Sequence, residues 1–257
     1  MLYQTYEQKI TPELHKWQRK MQKRPNLVDR TSKTVQDKIN SIIPDKIHAV
    51  ITTTIKQMTR AVLTGAEFTT SLPPPRATLE EIEREVLRRI DFYKKAGAAE
   101  GGIIGAGGFF LALAEFPVLI GIKMKLLFEI SALYGHSAED YRERLFILHV
   151  FQLTFSSQKQ RQKVFEQITH WKAKSQDLPS DINQFDWRTF QQEYRDYIDL
   201  AKMAQLIPGI GAAVGVIVNY RLLNQLGQTA INAYRMRWFE ERALAAAPMQ
   251  QQLPGMA

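Results

Sequence analysis

Residues 97–122 read Gly-Ala-Ala-Glu-Gly-Gly-Ile-Ile-Gly-Ala-Gly-Gly-Phe-Phe-Leu-Ala-Leu-Ala-Glu-Phe-Pro-Val-Leu-Ile-Gly-Ile. Gly97, Gly101 and Gly105 recur at one helical turn and run into an apolar stretch whose single charge, from Ile103 to Ile122, is Glu115. About twenty such residues match the thickness of a hydrocarbon core. Each glycine inside a helix costs about 0.8–1.0 kcal/mol relative to alanine, so a helix here needs outside compensation. A closely approaching partner helix supplies it, because missing side chains let backbones meet at short range. The chain holds one suitable partner, Ile207-Pro-Gly-Ile-Gly-Ala-Ala-Val-Gly-Val-Ile-Val-Asn-Tyr220, where Gly211 and Gly215 repeat the spacing and Asn219 continues the row. The two segments are expected to pack together across their glycines.

That pairing has two settings. One is a buried hairpin in a protein core. The other is a re-entrant or interfacial hairpin in a bilayer, for which Lys94 and Lys95 before the run and Lys123 and Lys125 after it speak. Against a full span stand Pro117, which is expected to interrupt or kink the helix, and Glu115, costly in lipid. The 206–218 run is too short to cross. In either setting Glu115 is expected to be buried and so to need a partner or a proton. Lys123, Asn219 and Arg221 are the candidates for that buried polar site.

The rest of the chain is helical in period. Ile47, Val50, Ile51, Ile55, Met58 and Val62 follow helical spacing. Thr11-Pro12 is expected to start an earlier helix, in which Leu14, Trp17 and Met21 share a face. Lys16, Arg19, Lys20, Lys23 and Arg24 surround that face, making a short basic amphipathic helix. Three prolines within 68–78 favour an extended linker. Thr78-Leu-Glu-Glu81 then forms a capping box ahead of the stripe Leu79, Ile82, Val86, Ile90 and Tyr93. Gly135 suits a helix C-terminus, and Ser137 with Asp140 suits the next helix start. Leu145, Leu148, Phe151 and Phe155 fall at core-type positions, and a further helix is expected near 186–206. No strand set appears. The reading is all-α, a multi-helix bundle around two close-packed glycine-rich segments. Its divisions are a basic N-terminal extension (1–67), the Pro-rich linker (68–78), a main all-α domain (79–245) and a flexible tail (246–257).

Charge narrows the partners. The 257 residues carry a net charge of +8, with mean hydropathy −0.27. Up to Arg60 the chain has twelve Lys and Arg against five Asp and Glu, so nearly all the excess lies in the first quarter. A nucleic-acid binder spreads its cations over the main domain, and that role is not expected. A local basic segment suits an anionic membrane surface or an acidic membrane partner. The N-terminus shows no secretory signal pattern, and with no cysteine thiol catalysis and thiolate zinc sites are excluded.

Catalytic patterns fail one by one. Gly135-His-Ser137-Ala-Glu139 departs from a nucleophile elbow at its last position and lacks the preceding strand. The glycine runs contain no Gly-Lys-Ser/Thr and no dinucleotide fingerprint. His15, His48, His136, His149 and His170 never pair at metal-ligand spacing. No cofactor and no metal are expected.

In order along the chain, the 97–122 stretch, Tyr134-Gly135, the 207–220 row and Ala233-Tyr-Arg-Met-Arg-Trp238 resemble the EcsC protein family of bacteria. The likeness spans roughly residues 80–240. Glu115-Phe116-Pro117 stands where the family pattern has Asp-Leu-Pro, and Arg235 and Arg237 match its Arg-x-Arg. The resemblance implies an all-α domain with no established biochemical activity and no transferable catalytic residues. It also implies an association with an ABC-type exporter at the cytoplasmic membrane. The combined expectation is a non-enzymatic helical protein in the cytoplasm, peripheral on the inner face of that membrane. A lipid- or small-molecule-handling enzyme built on Glu115, and a soluble scaffold, are the alternatives.

Overall fold

The computed structural model describes residues 4–23, 45–64, 77–104, 116–157, 160–179, 184 and 215–246. These form eight α-helices: α1 (Tyr6–Gln22), α2 (Asp45–Thr64), α3 (Leu79–Ile104), α4 (Phe116–Leu133), α5 (Tyr141–Phe155), α6 (Arg161–Ile168), α7 (Trp171–Gln176) and α8 (Gly215–Ala246). No strand occurs among the described residues, and the chain is all-α. Among them, no helix is long and apolar enough to cross a membrane.

Local chemistry sets the helix ends. At α3 the expected capping box is present: Thr78 N–H donates to Glu81 Oε2 at 2.8 Å and Glu81 N–H to Thr78 Oγ1 at 3.3 Å. Gly135 closes α4 at φ +88°, its N–H reaching Ala132 O at 2.8 Å while His136 N–H reaches Ser131 O at 3.1 Å. Two expectations are corrected. The first helix starts at Tyr6, capped by Thr5 with Gln8, because this reciprocal box satisfies free amides that Thr11 would leave open. Pro12 therefore sits inside α1. Pro117 is the second residue of α4, and the stretch before Phe116, on which its expected kink depends, lies outside the described residues. Asp140, not Ser137, caps α5 by accepting Arg142 N–H at 2.9 Å, and Ser137 Oγ turns the preceding loop by accepting Glu139 N–H.

The bundle's core is α3, α4, α5 and α8. Lys94 meets Asn224 and Arg235 meets Glu83, so α8 runs antiparallel to α3, its most extensive neighbour. Tyr93 bonding Glu129 and Tyr134 bonding Glu83 make α4 antiparallel to α3 as well. Gln225 on Thr154 and Tyr234 on Glu143 set α5 antiparallel to α8. The predicted stripe Leu79, Ile82, Val86, Ile90 and Tyr93 is buried, as are Leu145, Leu148, Phe151 and Phe155. Outside this square, α2 packs on α4 and α5, α6 on α5, and α1 on α6, α8 and α3.

Of the glycine rows, Gly97 and Gly101 fall within α3 and Gly215 begins α8. Gly105, Gly211 and the helix expected near 186–206 lie outside the described residues, as does most of the Pro-rich linker. The close α3–α8 approach that is described lies one stretch away, at Gly227, where an added Cβ would sit 2.5 Å from Ile90 Cδ1.

Candidate functional site

Two carboxylates close one end of the square. Glu83 projects from the first turns of α3, on the same face as Leu79 and Val86, and is 1% exposed. Arg235 of α8 grips it with two parallel bonds, Nε to Oε1 at 2.7 Å and Nη2 to Oε2 at 2.5 Å. Tyr6 of α1 donates its hydroxyl to Oε2 at 2.5 Å, and Tyr134 donates to Oε1 at 3.1 Å. Four donors thus saturate the acceptor capacity of one carboxylate.

The second pair lies beside the first. Glu143, at the start of α5, accepts from Ser131 Oγ at 2.7 Å and Tyr234 Oη at 2.6 Å, both on Oε1. Arg237 donates to its other oxygen and reaches His136 Nδ1 at 3.1 Å through its second Nη. That bond fixes Nδ1 as an acceptor and leaves the imidazole neutral with its proton on Nε2. The rings of Tyr134 and His136 stack near Tyr234, at centroid distances of 5.0 and 5.5 Å. The Arg237 guanidinium lies 4.6 Å from the centre of Phe146.

Burial alone would raise the Glu143 carboxyl, but the Arg237 guanidinium and the donated bonds hold it below its ordinary range. Burial pushes the Tyr134 and Tyr234 hydroxyls well up, with the facing carboxylates adding to the shift. Both tyrosines therefore stay donors. Burial also lowers His136. The chemistry is that of a clamp: each carboxylate is paired with an arginine and accepts from hydroxyl groups as well, leaving neither as a free base. No metal-binding group of His, Asp and Glu exists among the described residues. The cluster is the bolt joining α1, α3, α4, α5 and α8.

Arg235 and Arg237 were legible as an Arg-x-Arg. Their acids were not, although Glu83 lies in phase with the apolar stripe of its helix, which marks a buried charge in search of a cation. Of the polar site expected around the glycine rows, Glu115 lies outside the described residues. Lys123 is 1% exposed on α4, with Nζ donating to Leu119 O at 3.3 Å, so it does not flank the apolar run as a surface charge. Asn219 lies in α8, and Arg221 is exposed there.

The basic face of α1 is the second feature. Ile10, Leu14 and Met21 are buried, and Trp17 is half-buried with its ring edge-on to Phe165, centroids 5.6 Å apart. Trp17 is thus a packing residue. Lys16, Arg19, Lys20 and Lys23 are exposed, and Arg24 lies outside the described residues. Lys9, which sequence reading missed, is also exposed. With it Lys16, Lys20 and Lys23 form one stripe at seven-, four- and three-residue steps. None of the four enters an ion pair among the described residues.

An all-α bundle bolted by two buried carboxylate–arginine pairs, with a basic helix docked on its flank, defines the class structurally. The sequence model of the EcsC protein family matches residues 8–239, and the chain belongs to that family. It is 43% identical over 240 residues to "Protein EcsC" of Bacillus subtilis (strain 168), covering 93% of this chain and 99% of that one. "Uncharacterized protein YdbA" of the same organism is 28% identical over 149 residues, covering 57% of this chain and 54% of its own. No solved structure matches it. The family match begins at residue 8, so it takes in α1 and α2, which the sequence motifs left outside the likeness.

Proposed function

We propose that this protein is a non-enzymatic, peripheral membrane protein that binds the anionic inner face of the cytoplasmic membrane through α1. The observation that carries this reading is the unpaired lysine stripe Lys9, Lys16, Lys20 and Lys23. The apolar face of the same helix is spent on the bundle core, so the stripe is held outward and is not free to fold back. Each cation near an anionic lipid surface contributes about 1 kcal/mol. Contact of this kind needs no insertion. An association with an ABC-type exporter, implied by the family resemblance, belongs to the proposal as the setting in which a surface-bound helical protein would meet a membrane partner.

The test is co-sedimentation with vesicles. The full chain is expected to bind phosphatidylglycerol-containing vesicles at low salt, to ignore pure phosphatidylcholine, and to be released as salt shortens the screening length. Changing the four lysines to glutamine should weaken binding strongly without altering the helical circular dichroism. No binding of the wild type at low salt would defeat the reading.

A further inference from the structure

We infer that the outward face of α2 is a second surface for anionic lipid headgroups, an inference that rests on the membrane reading above. One side of α2 buries Ile51, Ile55, Met58, Val62 and Leu63 against the bundle. The opposite side exposes Lys46, Thr53, Lys56 and Arg60. The one acid in the helix is Asp45, its first residue.

Pairing separates this face from the exposed face of α3. On α3 the exposed cations sit beside acids: Arg84 with Glu80, Arg88 and Arg89 with Glu85, Lys95 with Asp91. On α2 neither Lys46, Lys56 nor Arg60 enters an ion pair among the described residues. On the helix itself only Asp45, at its start, offsets the field of those three charges. The row from Lys46 to Arg60 extends about 21 Å at the helical rise, the same length as Lys9 to Lys23 on α1. Cations strung along a convex helix cannot converge on one small anion, but each can meet a separate headgroup of an extended surface. Single-stranded nucleic acid would want aromatic side chains between the cations for base stacking, and α2 contains no Phe, Tyr or Trp.

The experiment compares the full chain with two variants in the vesicle assay at low salt. One is Lys46→Gln/Lys56→Gln/Arg60→Gln and the other Lys9→Gln/Lys16→Gln/Lys20→Gln/Lys23→Gln, each checked for unchanged helicity. The α2 variant is expected to bind phosphatidylglycerol vesicles more weakly than wild type, and the same substitutions made in the α1 variant to weaken what binding is left by about fivefold for each residue neutralised. The α1 variant should keep a residual, salt-sensitive binding that the combined variant loses. An α2 variant that binds as tightly as wild type, while the α1 variant is weakened, overturns this inference and leaves the α1 reading standing. A wild type that binds no anionic vesicle overturns both. Wild-type vesicle binding that is indifferent to α2, with binding to polyglutamate or single-stranded DNA that depends on it, assigns the face to another occupant and also overturns the inference.

Discussion

At the scale of residues, the buried pairs should dominate stability. Removing one partner of a buried ion pair strands the other, and such losses run to about 3 kcal/mol or more. Glu83→Gln leaves Arg235 enclosed with its charge uncompensated, since Arg235 keeps only Glu13, 3.6 Å away and largely exposed. Its urea midpoint is expected to fall by an amount equal to about 3 kcal/mol, and a variant within about 0.5 kcal/mol of wild type would contradict the clamp. Protons report on the same core. Burial lowers the His149 imidazole from 6.5 to about 4, its bond with Gln152 only partly offsetting this. As pH falls, the unfolded chain takes up that proton first, so stability drops between about pH 6.5 and 4. Glu143, held below 4.5 when folded, adds a loss of the same sign as pH falls through its folded value. Midpoints measured across this range should decline, and His149→Gln should flatten the upper part of the slope.

At the scale of elements, three glycines should respond to alanine in three ways. At Gly121, inside α4, a Cβ meets nothing within 4 Å, so Gly121→Ala should stabilise by about 0.5–1 kcal/mol through helix propensity. At Gly135 there is equal room but a φ of +88°, and Gly135→Ala should destabilise by roughly 1–2 kcal/mol. At Gly227 the backbone is relaxed but Ile90 blocks the space, so Gly227→Ala should destabilise by about 1–3 kcal/mol. Thermal melts of the three variants, ranked in that order, are the check. The caps at Thr78 and Gly135 were legible because a side chain three residues away, or a single special φ, decides them. The start of α1 was misread because a proline after a threonine imitates a cap. Gly227 was missed because its reason lies in Ile90, far along the chain.

At the scale of the whole molecule, α1 is part of the bundle. Tyr6 reaches Glu83, Glu7 lies 3.7 Å from Arg242, and Trp17 covers Phe165. A chain lacking residues 1–23 should lose about 2 kcal/mol for each of Ile10, Leu14 and Met21 no longer buried, besides the Tyr6 bond. Its denaturant midpoint should fall well below that of the full chain. An unchanged midpoint would show that α1 is a detachable arm. This is also why lysine neutralisation, not truncation, is the clean test of membrane binding.

The all-α class, the burial phase of α2, α3 and α5, and the basic excess of the first quarter were determined by the sequence itself, because helical period and charge are local properties. Only the tertiary structure decided which charges meet. Glu83 and Arg235 are 152 residues apart, and Glu143 and Arg237 are 94 apart. A buried ion pair is chosen by the relative placement of helices, and no periodicity within one helix encodes it. The same holds for the lysine stripe. Lys16, Lys20 and Lys23 could be read along the chain, but that they and Lys9 point outward unpaired follows from which face of α1 the bundle covers.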